Sequence, residues 1–218
     1  MHGVRANRLS MLDRARFLSQ ANYSVLLFDF QAHGESGGNH ITFGHLESMD
    51  ARAAVRFLRE KVPDEKIGVI GVSLGGAAAL LTASPLEVNA MVLEMVYPTI
   101  NQAISNRLTM RLGRWASYLT PLLSWQLKPR LGVAAEDLSP IDRIGKVRCP
   151  KLLIAAAADQ HTTLEESRQL FEAASEPKEL WIVNAAKHVD LYPVAKKEYE
   201  QRVLGFFGKF LMADSRGL

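Results

Sequence analysis

The sequence predicts an α/β domain: a mainly parallel sheet covered by helices on both faces, carrying one helical insertion. Three observations predict it. Short apolar runs recur along the chain, continuous rather than alternating, as strands buried on both faces require. Segments with helical spacing fall between them, which is the pattern of βα units. Residues 99–148 interrupt the alternation with no strand signal.

Taken in order, "YSVLLFDF" (23–30) is the first strand run, and the Gly-rich loop "QAHGESGGNH" follows it. Over 45–61, Leu46, Met49, Ala53, Ala54, Phe57 and Leu58 recur at helical spacing and give one apolar face. "KIGVIGV" (66–72) is a second strand, and "SLGGAAALLTA" (73–83) is a helix that begins at once after it. The runs at 89–96, 149–159 and 178–184 are three further strands, and helical segments follow the last two at 163–175 and 192–212. This division predicts a core of 1–98 with 149–218 and a helical cap of 99–148 over one end of the sheet.

A chain of 218 residues, 48% hydrophobic and 22% charged, has the composition of a globular protein with a substantial core. The net charge of +3 is too small to indicate nucleic acid. Its distribution is uneven: residues 101–148 hold eight Lys/Arg against three Asp/Glu, so the basic excess is local. Cys149 is the one cysteine, which excludes an intramolecular disulfide. Arg5, Arg8, Asp13, Arg14 and Arg16 leave no apolar signal-peptide core, and no apolar run reaches the roughly 18 residues of a membrane span. A cytoplasmic location is the expectation. No His/Cys/carboxylate cluster has metal-ligand spacing, so no metal is expected.

"GVIGVSLGGAAALL" is the most specific stretch. Ser73 lies between Gly71 and Gly75 at a strand–helix junction, where Gly-x-Ser-x-Gly forms a nucleophile elbow. Side chains at the flanking positions would collide in so sharp a turn. The bland alternative is a serine N-cap in a Gly-rich turn. A serine nucleophile needs a base and an orienting acid. His188 follows the last strand run and Asp159 ends the run "LLIAAAAD", so both fall at the same end of the sheet as Ser73. Their alternatives are an exposed loop histidine and a helix-capping aspartate. Glu94, at the end of the preceding strand, is the rival acid and reads more readily as structural or as lining the pocket.

The order Ser73, Asp159, His188 accompanies the nucleophile elbow. With these residues the chain resembles the α/β-hydrolase superfamily, in the group of small-capped serine esterases, thioesterases and serine aminopeptidases. "LLFDFQAHGESGG" resembles that group's Asp-x-Arg-Gly-His-Gly-x-Ser segment, with Gln31 and Ala32 in place of Arg and Gly. "DLSPIDRIGKVRCPKLLI" resembles its run from the cap into the acid-bearing strand. Ala186 and Lys187 depart from the usual small, Gly-containing approach to the histidine.

The resemblance implies a cofactor-free serine hydrolase acting on a small-molecule acyl substrate. It also gives "MHGVRANR" a role: the backbone N–H of Val4, after His2-Gly3, pairs with that of Leu74 as the oxyanion hole. A frayed tail is the alternative. The resemblance further implies that the strand delivering His2-Gly3 is missing, along with the earlier strands of the sheet's antiparallel edge, which leaves a gap between 23–30 and 66–72. Three or four buried aliphatic side chains at ~1.5–3 kcal/mol each would be lost, against a domain stability of ~5–15 kcal/mol. Either the strands close up, or another segment or chain fills the slot, or the sequence is a fragment of a longer protein. The last is the expectation.

In 99–148, Trp115, Tyr118, Leu122 and Trp125 would line an acyl pocket or pack the insertion onto the sheet. Arg107, Arg111 and Arg114 read as a solvated helix face, with an anionic substrate or a lipid surface as the alternative. His33 reads as a loop-shaping hydrogen bonder, and His40, His45 and His161 as surface or cap residues. A non-catalytic protein of the same fold, and a cofactor-free perhydrolase, are compatible with the same residues. A nucleotide-binding domain fits them least, because "GVSLGG" lacks the Gly-x-Gly-x-x-Gly register and has no P-loop lysine.

Overall fold

The computed structural model describes residues 1–184 and 186–212. Helix α1 (Leu12–Gln20) and helix α2 (Glu47–Lys61) precede the first strand, β1 (Gly68–Val72), which passes into α3 (Leu74–Leu80). Strand β2 (Ala90–Glu94) then leads into the insertion. There α4 (Ile100–Leu112), a 3-10 segment (Arg114–Leu119), α5 (Thr120–Trp125), α6 (Leu127–Leu131) and α7 (Ile141–Ile144) follow one another without a strand. The chain returns through β3 (Lys151–Ala156), α8 (Leu164–Ala173), β4 (Lys178–Val183), α9 (Leu191–Val194) and α10 (Lys196–Leu211). The four strands are parallel and lie in sequential order, β1-β2-β3-β4.

The sheet is covered on both faces, which is why its strands are apolar at successive positions. All of β2 and β3 is buried. Met91, Leu93 and Leu153 point to a core shared with Val55 of α2, Leu80 of α3 and Leu170 of α8. Val92, Leu152 and Ile154 point to the opposite core, with Phe17 of α1 and Tyr199, Val203, Phe206 and Phe207 of α10. Each strand therefore alternates between two cores. The parallel register places the C-terminal ends of the strands, and the loops after them, at one edge. Among the described residues, no helix is long and apolar enough to cross a membrane.

One expected strand is absent. Residues 23–30 pair with no neighbour as a β-strand. The reason lies beside them. Between this segment and β1 is a cleft of about 570 Å³, lined by Leu26 and Phe28 of the segment, Gly68 and Ile70 of β1, and Phe207. The two walls have not closed together, so neither offers the other a ladder partner. Side chains hold the end of the segment instead. Asp29 accepts from the backbone N–H groups of Arg8 (2.6 Å) and Glu35 (3.0 Å) and pairs with the Arg8 guanidinium. The main-chain N–H of Gln31 donates to Asp50 Oδ2 at 2.9 Å. Val25, expected to be buried, is 39% exposed.

This arrangement has a measurable consequence. Ile70 O accepts from Met1 N at the cleft's end, and the alternation of a parallel ladder turns Ile70 N–H toward the same side. In native-state hydrogen exchange, amides of 24–28 and of Ile70 should exchange roughly 10²-fold or more faster than those of Val92 and Leu153. Equal protection would show that the cleft is closed in solution.

Candidate active site

Val72 ends β1 and Leu74 begins α3, so Ser73 alone makes the turn, at φ 48° and ψ −110°. That conformation is costly for a residue with a Cβ and persists only where its surroundings impose it. The neighbouring glycines allow it. A Cβ on Gly71 would lie 2.7 Å from Gly76 N and Cα, and one on Gly76 would lie 2.3 Å from Val96 Cγ2. Gly75 has a different task from the one expected. Its Cβ would meet the carbonyl oxygens of Met1 and His2 at 2.6 and 2.7 Å, so it makes room for the N-terminal loop.

Asp159 lies just after β3 and His188 in the loop after β4. His188 Nδ1 and Asp159 Oδ2 are 2.6 Å apart. The other carboxylate oxygen, Oδ1, accepts from the backbone N–H groups of His161 (2.7 Å) and Thr162 (3.0 Å), which fixes the carboxylate plane. The two loops are tied by Ala158 N–H donating to Ala186 O at 2.8 Å. Asp159 is buried and the His188 side chain is 19% exposed, so the acid is shielded while the imidazole reaches solvent. Ser73 Oγ makes no hydrogen bond among the described residues, a looseness common in unliganded sites.

The N-terminal loop is not a frayed tail. Met1 N donates to Ile70 O at 2.8 Å, and Val72 N–H donates to Met1 O at 3.1 Å. His2 is wholly buried. Its Nδ1 donates to Gly3 O at 2.9 Å, and its Nε2 accepts from Phe30 N–H at 3.1 Å. A Cβ built on Gly3 would lie 3.9 Å from Ser73 Cβ, so the loop runs directly beside Ser73. The N–H groups of Val4 and of Leu74, the first residue of α3, have no partner among the described residues.

Burial lowers the pKa of His2 below its ordinary 6.5. Between the folded and unfolded values the unfolded chain binds more protons, so this contribution is complete above 6.5 and is lost as pH falls below it. His2→Gln should therefore be less sensitive than the parent to a shift from about pH 7.5 to about pH 5, read as the change in urea midpoint. Parallel losses in the two proteins would remove His2 as the cause.

Glu94 is structural. Its carboxylate accepts from Arg14 Nε (3.0 Å), Arg14 Nη2 (2.7 Å) and Tyr199 Oη (2.6 Å), all buried. Arg14 Nη2 also donates to Asp190 Oδ1 at 2.7 Å, two residues beyond His188. Burial acts to lower the Arg14 pKa, but the Glu94 carboxylate outweighs it and holds the guanidinium charged. Glu94 O accepts from Ser73 N–H at 2.7 Å, so this buried cluster touches both the elbow and the histidine loop.

The remaining histidines divide. His33 is buried, with Nδ1 2.8 Å from Gln31 O, and shapes the loop after residue 30. His40 and His45 are exposed. His161 is not a plain surface residue: its ring centre lies 4.9 Å from that of His188, and burial lowers its pKa. The signal was the spacing in "ADQHTT", where an aspartate side chain accepts amides two and three residues on. Among the described residues, no group of three His, Cys, Asp or Glu side chains could hold a metal ion.

The insertion residues fall elsewhere. Trp115, Tyr118, Leu122 and Trp125 are 62%, 87%, 55% and 72% exposed, so they do not pack the insertion onto the sheet. Arg111 and Arg114 are exposed, whereas Arg107 is half-buried with Nη1 donating to Ala103 O at 2.9 Å.

Comparison with known proteins bears on the family and the fold. Residues 1–139 match the family profile described as serine aminopeptidase, S33. The uncharacterised YqkD of Bacillus subtilis is 28% identical over 211 residues, covering 94% of this chain and 68% of that protein. The uncharacterised YfhR of Escherichia coli K12 is 26% identical over 195 residues, covering 88% and 62%. The chain thus spans about two thirds of the length of these curated relatives. Among solved structures, the Pyrococcus furiosus esterase Pf2001 superposes with a TM-score of 0.76 at 27% identity, covering 97% of this chain and 81% of that one. A monoacylglycerol lipase from Paleococcus ferrophilus shares the fold, with a TM-score of 0.67 at 20% identity, covering 94% and 91%.

Proposed function

The chain belongs to the serine aminopeptidase S33 family of α/β hydrolases, and we propose that it is a serine hydrolase cleaving an ester or thioester bond, or an amide, through an acyl-enzyme. The observation that carries this is the His188–Asp159 hydrogen bond of 2.6 Å at the same sheet edge as a serine held at φ 48°. A serine serving only as a helix cap has no need of that conformation, and its side chain accepts no capping hydrogen bond here.

In this proposal Ser73 Oγ attacks the substrate carbonyl carbon while His188 Nε2 takes the hydroxyl proton. Asp159 keeps the Nδ1 proton in place and stabilises the imidazolium. The carbonyl oxygen gains negative charge and accepts from the N–H groups of Val4 and Leu74, donors already fixed before that charge develops. Collapse of the tetrahedral species breaks the bond to the leaving group, which receives the proton from His188. Water then attacks the acyl-serine, deprotonated by the same imidazole, and Ser73 is regenerated. The chemistry needs no cofactor.

The test is hydrolysis of a panel of p-nitrophenyl esters and acyl thioesters by the parent and Ser73→Ala. An initial burst of p-nitrophenol followed by slower turnover, absent in the variant, is the expected result. Activity that survives in Ser73→Ala would overturn the assignment, and inactivity of a folded parent across the panel would favour a non-catalytic role.

A further inference from the structure

We propose that the outer face of the insertion, residues 110–130, docks this protein onto a phospholipid surface bearing anionic headgroups. The proposal goes beyond the acyl-transfer assignment and does not depend on it.

The chain turns through the 3-10 segment directly into α5, so residues 114–125 form one nearly continuous helical stretch. Trp115, Tyr118, Leu122 and Trp125 recur along it at spacings of three, four and three, which places them on one stripe. All four are more than half exposed. Single exposed apolar residues are ordinary, but a contiguous aromatic stripe marks a surface that something covers.

Charge identifies what covers it. From residue 107 to 131 the chain holds Arg107, Arg111, Arg114, Lys128 and Arg130 and no Asp or Glu. Arg111, Arg114, Lys128 and Arg130 are all exposed. Tryptophan and tyrosine, with apolar bodies and polar tips, suit the boundary between headgroups and acyl chains. An apolar stripe flanked by arginine and lysine is the pattern of an interfacial helix that binds anionic lipid. The same insertion adjoins the candidate active site, since Asn106 Nδ2 donates to His161 O at 3.1 Å. A lipid surface held by this face would thus lie on the element that borders the catalytic loop.

The test uses the full chain with vesicles of phosphatidylcholine alone and of phosphatidylcholine mixed with phosphatidylglycerol. Trp181 is buried, so a change in tryptophan emission on binding reports Trp115 and Trp125. Co-sedimentation with the mixed vesicles, a blue shift of emission and loss of binding at high salt are expected. The double variants Trp115→Ser/Trp125→Ser and Arg111→Glu/Arg114→Glu should each bind about tenfold or more weakly, while their circular dichroism matches the parent. Equal affinity for the two vesicle types, or no affinity for either, would overturn the proposal. So would a parent that sediments as a dimer and becomes monomeric in the tryptophan variant, since the stripe would then be covered by a second copy of the chain.

Discussion

Asp159→Asn is expected to lower kcat on an activated ester by about 10⁴-fold while leaving the fold intact. The surroundings of the carboxylate dictate both halves of that result. Oδ1 accepts two main-chain N–H groups, from His161 and Thr162. In the variant the amide oxygen takes that place, because an NH₂ group there would face two donors. The NH₂ group is therefore turned toward His188 Nδ1, where it donates instead of accepting. The imidazole must then carry its proton on Nε2, the nitrogen that has to receive the Ser73 proton. The loss is one of tautomer and of charge, not of structure, so circular dichroism and urea midpoint should stay close to the parent. A decrease in kcat of less than about tenfold would show that Asp159 is not the orienting acid.

The largest stability effect belongs to Glu94. Glu94→Ala should destabilise the fold by about 3–5 kcal/mol, because it leaves the Arg14 guanidinium buried with only the partly exposed Asp190 to balance it. Arg14→Leu should cost a similar amount by stranding Glu94, which is wholly buried. Combining the changes as Glu94→Leu/Arg14→Leu removes both charges and should be less harmful than either single change, although Tyr199 Oη then loses both partners. Urea denaturation of the three variants measures the coupling directly. Additive losses would mean that the two side chains do not stabilise one another. The single variants should also lose activity beyond their loss of stability, since the cluster reaches Ser73 through Glu94 O and the His188 loop through Asp190.

Much of the framework was legible in the sequence for one physical reason. β2 and β3 are near-continuous apolar runs because helices cover both faces of the sheet, so each is recognisable without its partners. The run at 23–30 has the same composition, yet whether it pairs depends on what lies beside it, and the cleft against β1 is a property of the assembly. The Ser73 elbow announces itself because a strand, a glycine-flanked serine and a helix follow each other within a few residues. Asp159 and His188 could be placed at the same edge from topology.

What the sequence concealed is mostly buried polarity. Arg14 sits in α1 among Asp13 and Arg16, and its residue type gives no sign that it is buried while its neighbours are exposed. His2 anchors the N-terminal loop through contacts with Phe30 and Gly3, the first of which depends on tertiary approach. In the insertion, tryptophan and leucine at helical spacing also allowed packing onto the sheet, and their exposure removes that reading.

The most direct test of the central claim is covalent labelling of the 218-residue chain with a fluorophosphonate probe, alongside Ser73→Ala. Stoichiometric labelling of the parent, mapped by mass spectrometry to Ser73 and abolished in the variant, is the predicted result. A folded parent that resists the probe, or a probe adduct on any other residue, would contradict the assignment of Ser73 as an activated nucleophile.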